Sequence, residues 1–140
     1  SGSGPAYVFT FIEALTDALA AKALLAMREI QVLHAPHIAE VEAAVMTRIE
    51  TEIGHLDILL NNAGFSQVGA VVDLTREDLR KQYETNVISP VAMTRAALPL
   101  LRAAHAVHGK AIVANVGSIV GLFTTPFAGA YSSSKAALHR

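Results

Sequence analysis

The sequence predicts an α/β fold, an incomplete doubly wound parallel sheet flanked by helices. Three short apolar runs, at 30–33, 56–60 and 111–116, have the length and composition of strands that are buried on both faces. Segments with helical periodicity separate these runs, as the crossovers between parallel strands require. Because a complete sheet of this kind has about six strands, we expect the chain to hold part of one.

Length and composition limit the classes of protein to which the chain can belong. Its 140 residues suffice for one domain, and 52% hydrophobic residues can supply a buried core. A formal net charge of −1 provides no basic surface for nucleic acid or an anionic membrane. The chain has no cysteine, which is typical of a reducing compartment. We expect a cytoplasmic protein that binds no nucleic acid, and peripheral association with a lipid surface stays open.

The first part of the chain predicts a flexible start, a helix over Val8–Arg28 and the strand at 30–33. The glycines within residues 1–5 indicate a linker or frayed end, since a phosphate-binding loop must follow a strand. Charged residues interrupt the apolar run of the helix, so we expect no transmembrane segment. His34 and His37 follow the strand without a further ligand nearby, and we predict no metal site.

The next helix and strand lead into a short polar motif. Apolar residues recur four positions apart over Ile38–Ile53, and Gly54 is well placed to end that helix. The strand at 56–60 runs directly into Asn61-Asn62-Ala63-Gly64. Asparagine side chains both donate and accept hydrogen bonds, so they can tie a strand end to its neighbours. The small residues leave room for a flat group beside the backbone; the alternative is an ordinary turn.

A third helix begins with a capping signal and has an asparagine near its end. Thr75 is the predicted N-cap, and Asp78 completes a weakened capping box. The helix continues through Tyr83, and Asn86 lies inside it or just after it. Asparagine side chains compete for backbone hydrogen bonds, which favours a distortion there. The alternative is an asparagine that merely faces solvent.

The last part of the chain begins with a long apolar helix over Pro90–Ala104, which has more apolar surface than one sheet face needs. The strand at 111–116 leads to Gly117-Ser118 at its carboxyl end, where ligands bind in an open parallel sheet. A loop over Ile119–Ala130 follows. The chain then reaches Tyr131-Ser132-Ser133-Ser134-Lys135.

Tyr131 and Lys135 share one face if a helix starts near Tyr131, because residues four apart are neighbours. A free phenol has a pKa of about 10, and a nearby ammonium favours the phenolate. The Ser118 hydroxyl could hold a carbonyl or alcohol oxygen beside the phenol. These groups suit proton transfer to or from that oxygen. In the alternative, Ser132–Ser134 supply N-caps in a solvated turn.

The chain from about Ile49 to Arg140 resembles the short-chain dehydrogenase/reductase family, whereas the match before about residue 49 is poor. The residues that carry this resemblance are Asn61 to Gly64, Asn86, Ser118, Tyr131 and Lys135. It implies a Rossmann-like fold, with residues 1–140 as a single partial dinucleotide-binding domain. It also implies an oxidoreductase that transfers a hydride between a nicotinamide cofactor and a carbonyl or secondary alcohol.

The roles of the family's residues carry over to matching positions. Tyr131 would be the general acid/base, and Lys135 would lower its pKa and hydrogen-bond the nicotinamide ribose. Ser118 would position the substrate oxygen, and Asn86 would support a water relay to the lysine. The predicted cofactor-binding residues are Asn62, Ala63, Gly64, Tyr131 and Lys135.

Within the family, Gly117–Gly121, Thr125–Phe127 and Tyr131–Leu138 most resemble a fungal subgroup of NADPH-dependent 1-acyldihydroxyacetone-phosphate reductases. This likeness implies NADP as the cofactor, with NAD left open, and a small, lipid-derived carbonyl or alcohol as the substrate. The family's dimer interface corresponds to helices at 90–104 and 131–140, so we expect a homodimer.

Two departures from the family pattern favour an alternative. The glycine-rich loop after the first strand is not recognisable, and His34 or a neighbour stands where the family has an aspartate. Later strands and substrate-binding segments are also missing, so we expect a truncated chain. The alternative is a catalytically inactive fragment that acts as an interaction module through the helix at 90–104. A metal-binding module using His34 and His37 is a remote third hypothesis.

Overall fold

The computed structural model describes residues 38–139, and the elements and histidines predicted before residue 38 lie outside them. In chain order the structure contains α1 (Ile38–Glu52), β1 (Ile58–Asn61), α2 (Arg76–Tyr83), α3 (Ser89–His108), β2 (Ile112–Asn115) and α4 (Gly129–Leu138). A π-helical segment, Glu84–Ile88, joins α2 to α3, and a 3₁₀ turn covers Ile119–Gly121.

The strands β1 and β2 pair in parallel, with Ile58 opposite Ile112 and Asn61 opposite Asn115. The connection between them runs through α2 and α3, which confirms the predicted α/β class. Both strands begin later than predicted. Leu56 is buried, but its N–H donates to the carbonyl of Leu100 in α3 at 3.1 Å, so it makes no strand pair.

The hydrophobic core lies where α1 and α3 pack against β1 and the turn before it. Burying each large apolar side chain there contributes on the order of 2 kcal/mol. In contrast, Ile112 and Val113 of β2 remain exposed within the described part of the chain. The core residues are Val45, Met46, Ile49, Leu56, Leu59, Met93, Ala97, Leu100 and Leu101.

Local signals in the sequence account for three helix ends. Gly54 has φ +80° and its N–H donates to the Ile49 carbonyl at 3.0 Å, which confirms its predicted place after α1. Thr75 and Asp78 form both bonds of the capping box, at 3.1 and 3.0 Å. Helix α3 runs beyond the predicted Ala104 because no glycine or proline occurs between Ala104 and Gly109, which has φ +73°.

None of the helices within residues 38–139 has both the length and the apolar composition to cross a membrane.

Candidate active site

The carboxyl ends of β1 and β2 lie side by side, and Asn61 ties them to α3. Its buried Nδ2 donates to Asn115 Oδ1 at 2.8 Å and lies 3.2 Å from Thr94 Oγ1. This confirms the expectation that an asparagine of the polar motif would tie the strand end to its neighbours. The half-buried Asn62 and Ala63 follow, and Gly64 then leaves the sheet edge.

Asn86 lies within the π-helical segment and is fully buried. Its Nδ2 donates to the Phe65 carbonyl at 3.1 Å, and its Oδ1 accepts from the Phe65 N–H at 3.2 Å. The predicted distortion is therefore present, whereas the alternative of a solvent-facing asparagine is wrong. A wider helical turn is one way to direct a side chain at a loop instead of at its own helix.

Gln82 is a second buried amide at this site, and the sequence analysis missed it. One helical turn before Asn86, its Nε2 donates to the Phe65 carbonyl and its Oε1 accepts from the Gln67 N–H, both at 2.7 Å. Together the two amides fix the loop that begins after Gly64. The only sequence signal is a glutamine four residues before Asn86 in a helix whose other residues are mostly charged.

Lys135 brings α4 to the end of β2. Only 4% of the residue is exposed, and its Nζ donates to the Val116 carbonyl at 2.7 Å. Burial lowers the pKa of the Lys135 ammonium. A Cβ added to Gly64 would lie 3.2 Å from Asn86 Oδ1 and 3.4 Å from Lys135 Nζ. The structure thus brings three of the predicted residues, Gly64, Asn86 and Lys135, together.

Ser118 and Tyr131 lie on two segments that pack together, the 3₁₀ turn after β2 and the first turn of α4. Ser118 is half-buried and extended, just before the 3₁₀ turn. That turn packs closely on α4, since a Cβ on Gly121 would lie 2.9 Å from the carbonyl carbon of Lys135. Tyr131 is half-buried in the first turn of α4, four residues before Lys135, so the two side chains are neighbours on the helix.

The three serines between Tyr131 and Lys135 are not N-caps, contrary to the alternative considered for this stretch. Helix α4 starts earlier, at Gly129, and its N-cap residue is Ala128. The serines therefore lie inside the helix. Ser134 is fully buried, accepts from Asn86 Nδ2 at 3.0 Å and donates to the Tyr131 carbonyl at 2.7 Å.

Comparisons with known proteins agree with this arrangement. The family model for short chain dehydrogenases matches residues 12–140. "Dehydrogenase/reductase SDR family member 7B" of Bos taurus is 42% identical over 82 residues, which are 59% of this chain and 24% of that protein. "NADPH-dependent 3-dehydrocapnine reductase" of Ornithobacterium rhinotracheale is 40% identical over 83 residues, 59% of this chain and 29% of that protein.

Among solved structures, a short-chain dehydrogenase from Streptomyces avermitilis matches with a TM-score of 0.63 and 37% sequence identity, covering 71% of this chain and 35% of that one. The chain thus spans about a quarter of the length of the two curated relatives named above. Its parallel strands and flanking helices form part of a Rossmann-like fold. The chain belongs to the short-chain dehydrogenase/reductase family.

Proposed function

We propose that the chain is part of an oxidoreductase that transfers a hydride between a nicotinamide cofactor and a carbonyl or secondary alcohol. One observation carries the proposal: a buried ammonium, that of Lys135, is held at the end of a parallel strand one helical turn from Tyr131. Lys135 has no side-chain carboxylate partner among the described residues. A buried cation of this kind is typical of a functional site, where it stabilises negative charge on a ligand or on a reacting group.

The residues around Lys135 fit the nicotinamide end of such a cofactor. An ammonium has three donors, and the bond to Val116 uses one, which leaves two for ribose hydroxyls. Gly64 is exposed beside it and offers backbone without a side chain in the way. Asn62 and Ala63 would line the same cleft. Hydride transfer is the chemistry that a bound nicotinamide supplies.

In this reaction the protein donates and accepts the proton. In the proposed mechanism, Tyr131 gives its phenolic proton to the substrate oxygen during reduction and takes a proton back during alcohol oxidation. The Lys135 ammonium stabilises the negative charge left on the Tyr131 oxygen. The Ser118 hydroxyl donates a second hydrogen bond to the substrate oxygen and orients it.

Asn86 acts as a positioning residue in this proposal. Both donors of its amide are engaged, by Phe65 and by Ser134, and its Oδ1 accepts from the Phe65 N–H. It therefore keeps the loop after Gly64 against α4, and with it Gly64 beside Lys135. The water relay that the family resemblance implies for Asn86 stays a prediction.

NADPH is the favoured cofactor and a lipid-derived carbonyl compound the favoured substrate. The relative from Ornithobacterium rhinotracheale is named as an NADPH-dependent reductase, which supports the cofactor. Between Ser118 and Tyr131 the chain exposes four large apolar side chains, a surface that suits an apolar substrate better than a sugar or an amino acid. They are Ile119, Leu122, Phe123 and Phe127.

The test is carbonyl reduction with NADPH and with NADH by the 140-residue chain and by Tyr131→Phe. We expect Tyr131→Phe to lose at least about 100-fold in kcat, the usual contribution of a general acid, while NADPH binding followed by fluorescence persists. Tyr83→Phe is the matched control, because it removes the hydroxyl group of a half-buried tyrosine in α2. Equal turnover by Tyr131→Phe and the unaltered chain would remove the role of Tyr131.

A second observation supports the expected homodimer, and with it the alternative of a catalytically inactive interaction module. Val91 and Leu98 are exposed seven residues apart on one face of α3. We propose that this face, together with α4, pairs with a second copy. Light scattering should give a dimer for the chain and a monomer for Leu98→Lys. Val107→Lys, on the opposite face of α3, should remain a dimer.

A further inference from the structure

Three side chains that can bind metals converge at the amino end of β1, at the opposite end of the strand from the candidate active site. His55 and Asp57 precede β1, and His108 is the last residue of α3. Asp57 Oδ1 lies 2.6 Å from His108 Nδ1, and Asp57 Oδ2 lies 3.5 Å from His55 Nε2. The carboxylate therefore uses a different oxygen for each imidazole.

The backbone holds these three side chains in place. Leu56 is 2% exposed and packs in the core, which leaves its neighbours His55 and Asp57 at the surface. The Asp57 carbonyl accepts from the Ile112 N–H of β2 at 2.9 Å. At the other side, Gly109 closes α3 directly after His108. The cluster thus joins the turn just before β1 to the last residue of α3, and the buried Leu56 and the bond to β2 anchor that turn.

We propose that His55, Asp57 and His108 form a binding site for Zn²⁺ or a similar divalent transition metal. Two imidazole nitrogens and one carboxylate oxygen suit such an ion, with water in the fourth position. One ligand atom from each residue lies within 4.8 Å of the other two. Tetrahedral Zn²⁺ needs ligand atoms about 3.3 Å apart, given metal–ligand distances near 2.0–2.1 Å. Both imidazoles are partly exposed, so their rings can turn to close this gap.

The electrostatics of this end of the molecule also favour a cation. Asp57 contributes a negative charge, and the last carbonyls of the 20-residue helix α3 point toward its C-terminus. A bound ion would link the turn before β1 to the end of α3, and both β1 and α3 contribute residues to the core. Since the site lies away from Lys135 and Tyr131, its role is to stabilise this end of the fold.

The test is a titration of the metal-free 140-residue chain with Zn²⁺ by calorimetry, repeated with Co²⁺ by visible absorption. We expect one equivalent to bind, and His108→Ala to weaken binding by at least about 100-fold. Loss of a residue that only orients a metal ligand already costs up to about that factor in affinity. His105→Ala is the matched control, because it removes an exposed histidine from the same helical turn without touching the cluster. The double variant His34→Ala/His37→Ala should also bind like the original chain.

Thermal unfolding provides the second readout. A ligand that binds only the folded state raises the Tm, so Zn²⁺ should raise it for the original chain and for His105→Ala but not for His108→Ala. Asp57→Asn, which keeps the shape of the side chain, should lose binding in the same way. The proposal is overturned if the original chain binds no Zn²⁺, if His108→Ala binds it equally well, or if the His34/His37 variant loses it.

Discussion

Asn86 and Ser134 are both fully buried and are joined by a 3.0 Å hydrogen bond from the amide Nδ2 to the hydroxyl Oγ. The bond connects the π-helical segment to α4 across 48 residues of sequence. Ser134 also donates to the Tyr131 carbonyl, and Asn86 holds the Phe65 backbone. The two residues therefore link the loop after Gly64 to the helix that carries Tyr131 and Lys135.

Ser134→Ala should lower the free energy of unfolding by about 1–3 kcal/mol, because one Asn86 donor is then buried without a partner. Urea unfolding measures the change. Ser133→Ala is the control one residue away: Ser133 is exposed and its Oγ donates to the Ala130 carbonyl of its own helix, so a change within about 0.5 kcal/mol is expected. Equal losses in the two variants would mean that the link to Asn86 contributes nothing.

Gln82→Leu keeps most of the side-chain volume but removes the bonds to the Phe65 carbonyl and the Gln67 N–H. The Phe65 carbonyl keeps its bond from Asn86 Nδ2, but the half-buried Gln67 N–H loses its partner, so we expect a loss of about 1–3 kcal/mol in stability. We also expect weaker NADPH binding, since the loop after Gly64 would loosen. Gln67→Ala is the control, because it keeps the backbone N–H that Gln82 accepts from. If calorimetry gives the same unfolding for Gln82→Leu as for the original chain, Gln82 does not stabilise the loop after Gly64.

Gly121→Ala and Gly129→Ala form a matched pair. A Cβ on Gly121 would lie 2.9 and 3.0 Å from backbone atoms of Lys135 and Ala136, whereas one on Gly129 meets nothing within 4 Å. Overpacking against backbone typically costs about 1–3 kcal/mol. An alanine in open space instead stabilises by about 0.4–1 kcal/mol through the unfolded state. The Tm should therefore fall for Gly121→Ala and rise for Gly129→Ala. A change of Tm in the same direction for both variants would count against the close packing of the 3₁₀ turn on α4.

The lowered pKa of Lys135 predicts how stability varies with pH. Burial makes the folded chain bind this proton less tightly than the unfolded chain does. Between the lowered folded value and the unfolded value of about 10.4, the unfolded state holds more protons, so the free energy of unfolding rises with pH. Below the folded-state pKa, Lys135 is charged in both the folded and the unfolded chain, so the full cost of burying the ammonium lowers the free energy of unfolding.

Lys135→Met removes that titration. The stability of the original chain relative to Lys135→Met should therefore increase as the pH rises toward about 10. Lys110→Met changes an exposed lysine and should show no such trend. The measurement is urea unfolding of the three proteins at matched alkaline pH values. A flat difference between the original chain and Lys135→Met would contradict burial of the ammonium.

Much of the fold could be predicted because its signals are local. Thr75 and Asp78 cap α2, Gly54 ends α1, and short apolar runs locate β1 and β2 within two residues at either end. The strand ends were harder to place. Leu56 is as apolar as a strand residue, and only its bond to Leu100 shows that pairing has not yet begun.

The candidate site was predicted less completely. Gly64, Asn86 and Lys135 come together as a motif-based prediction requires. Gln82 could not be found, since its partners are backbone groups 15 and 17 residues away. The cluster of Asp57 and His108 was missed because 51 residues separate them. Serines after a loop usually suggest caps, and only the earlier start of α4 shows that Ser134 is an interior residue.

The π-helical segment has a consequence for how this region tolerates insertions and deletions. A π-type turn contains one residue more than an α-type turn. Removing a single residue between Glu84 and Ile88 would convert this turn to an α-type turn, with Pro90 in the first turn of α3 still lacking an N–H donor. Each residue advances a helix by about 100°, so α2 would rotate relative to α3 and Gln82 would turn away from Phe65 and Gln67. A deletion that makes the helix more regular would thereby break the hydrogen bond from Gln82 to the Phe65 carbonyl.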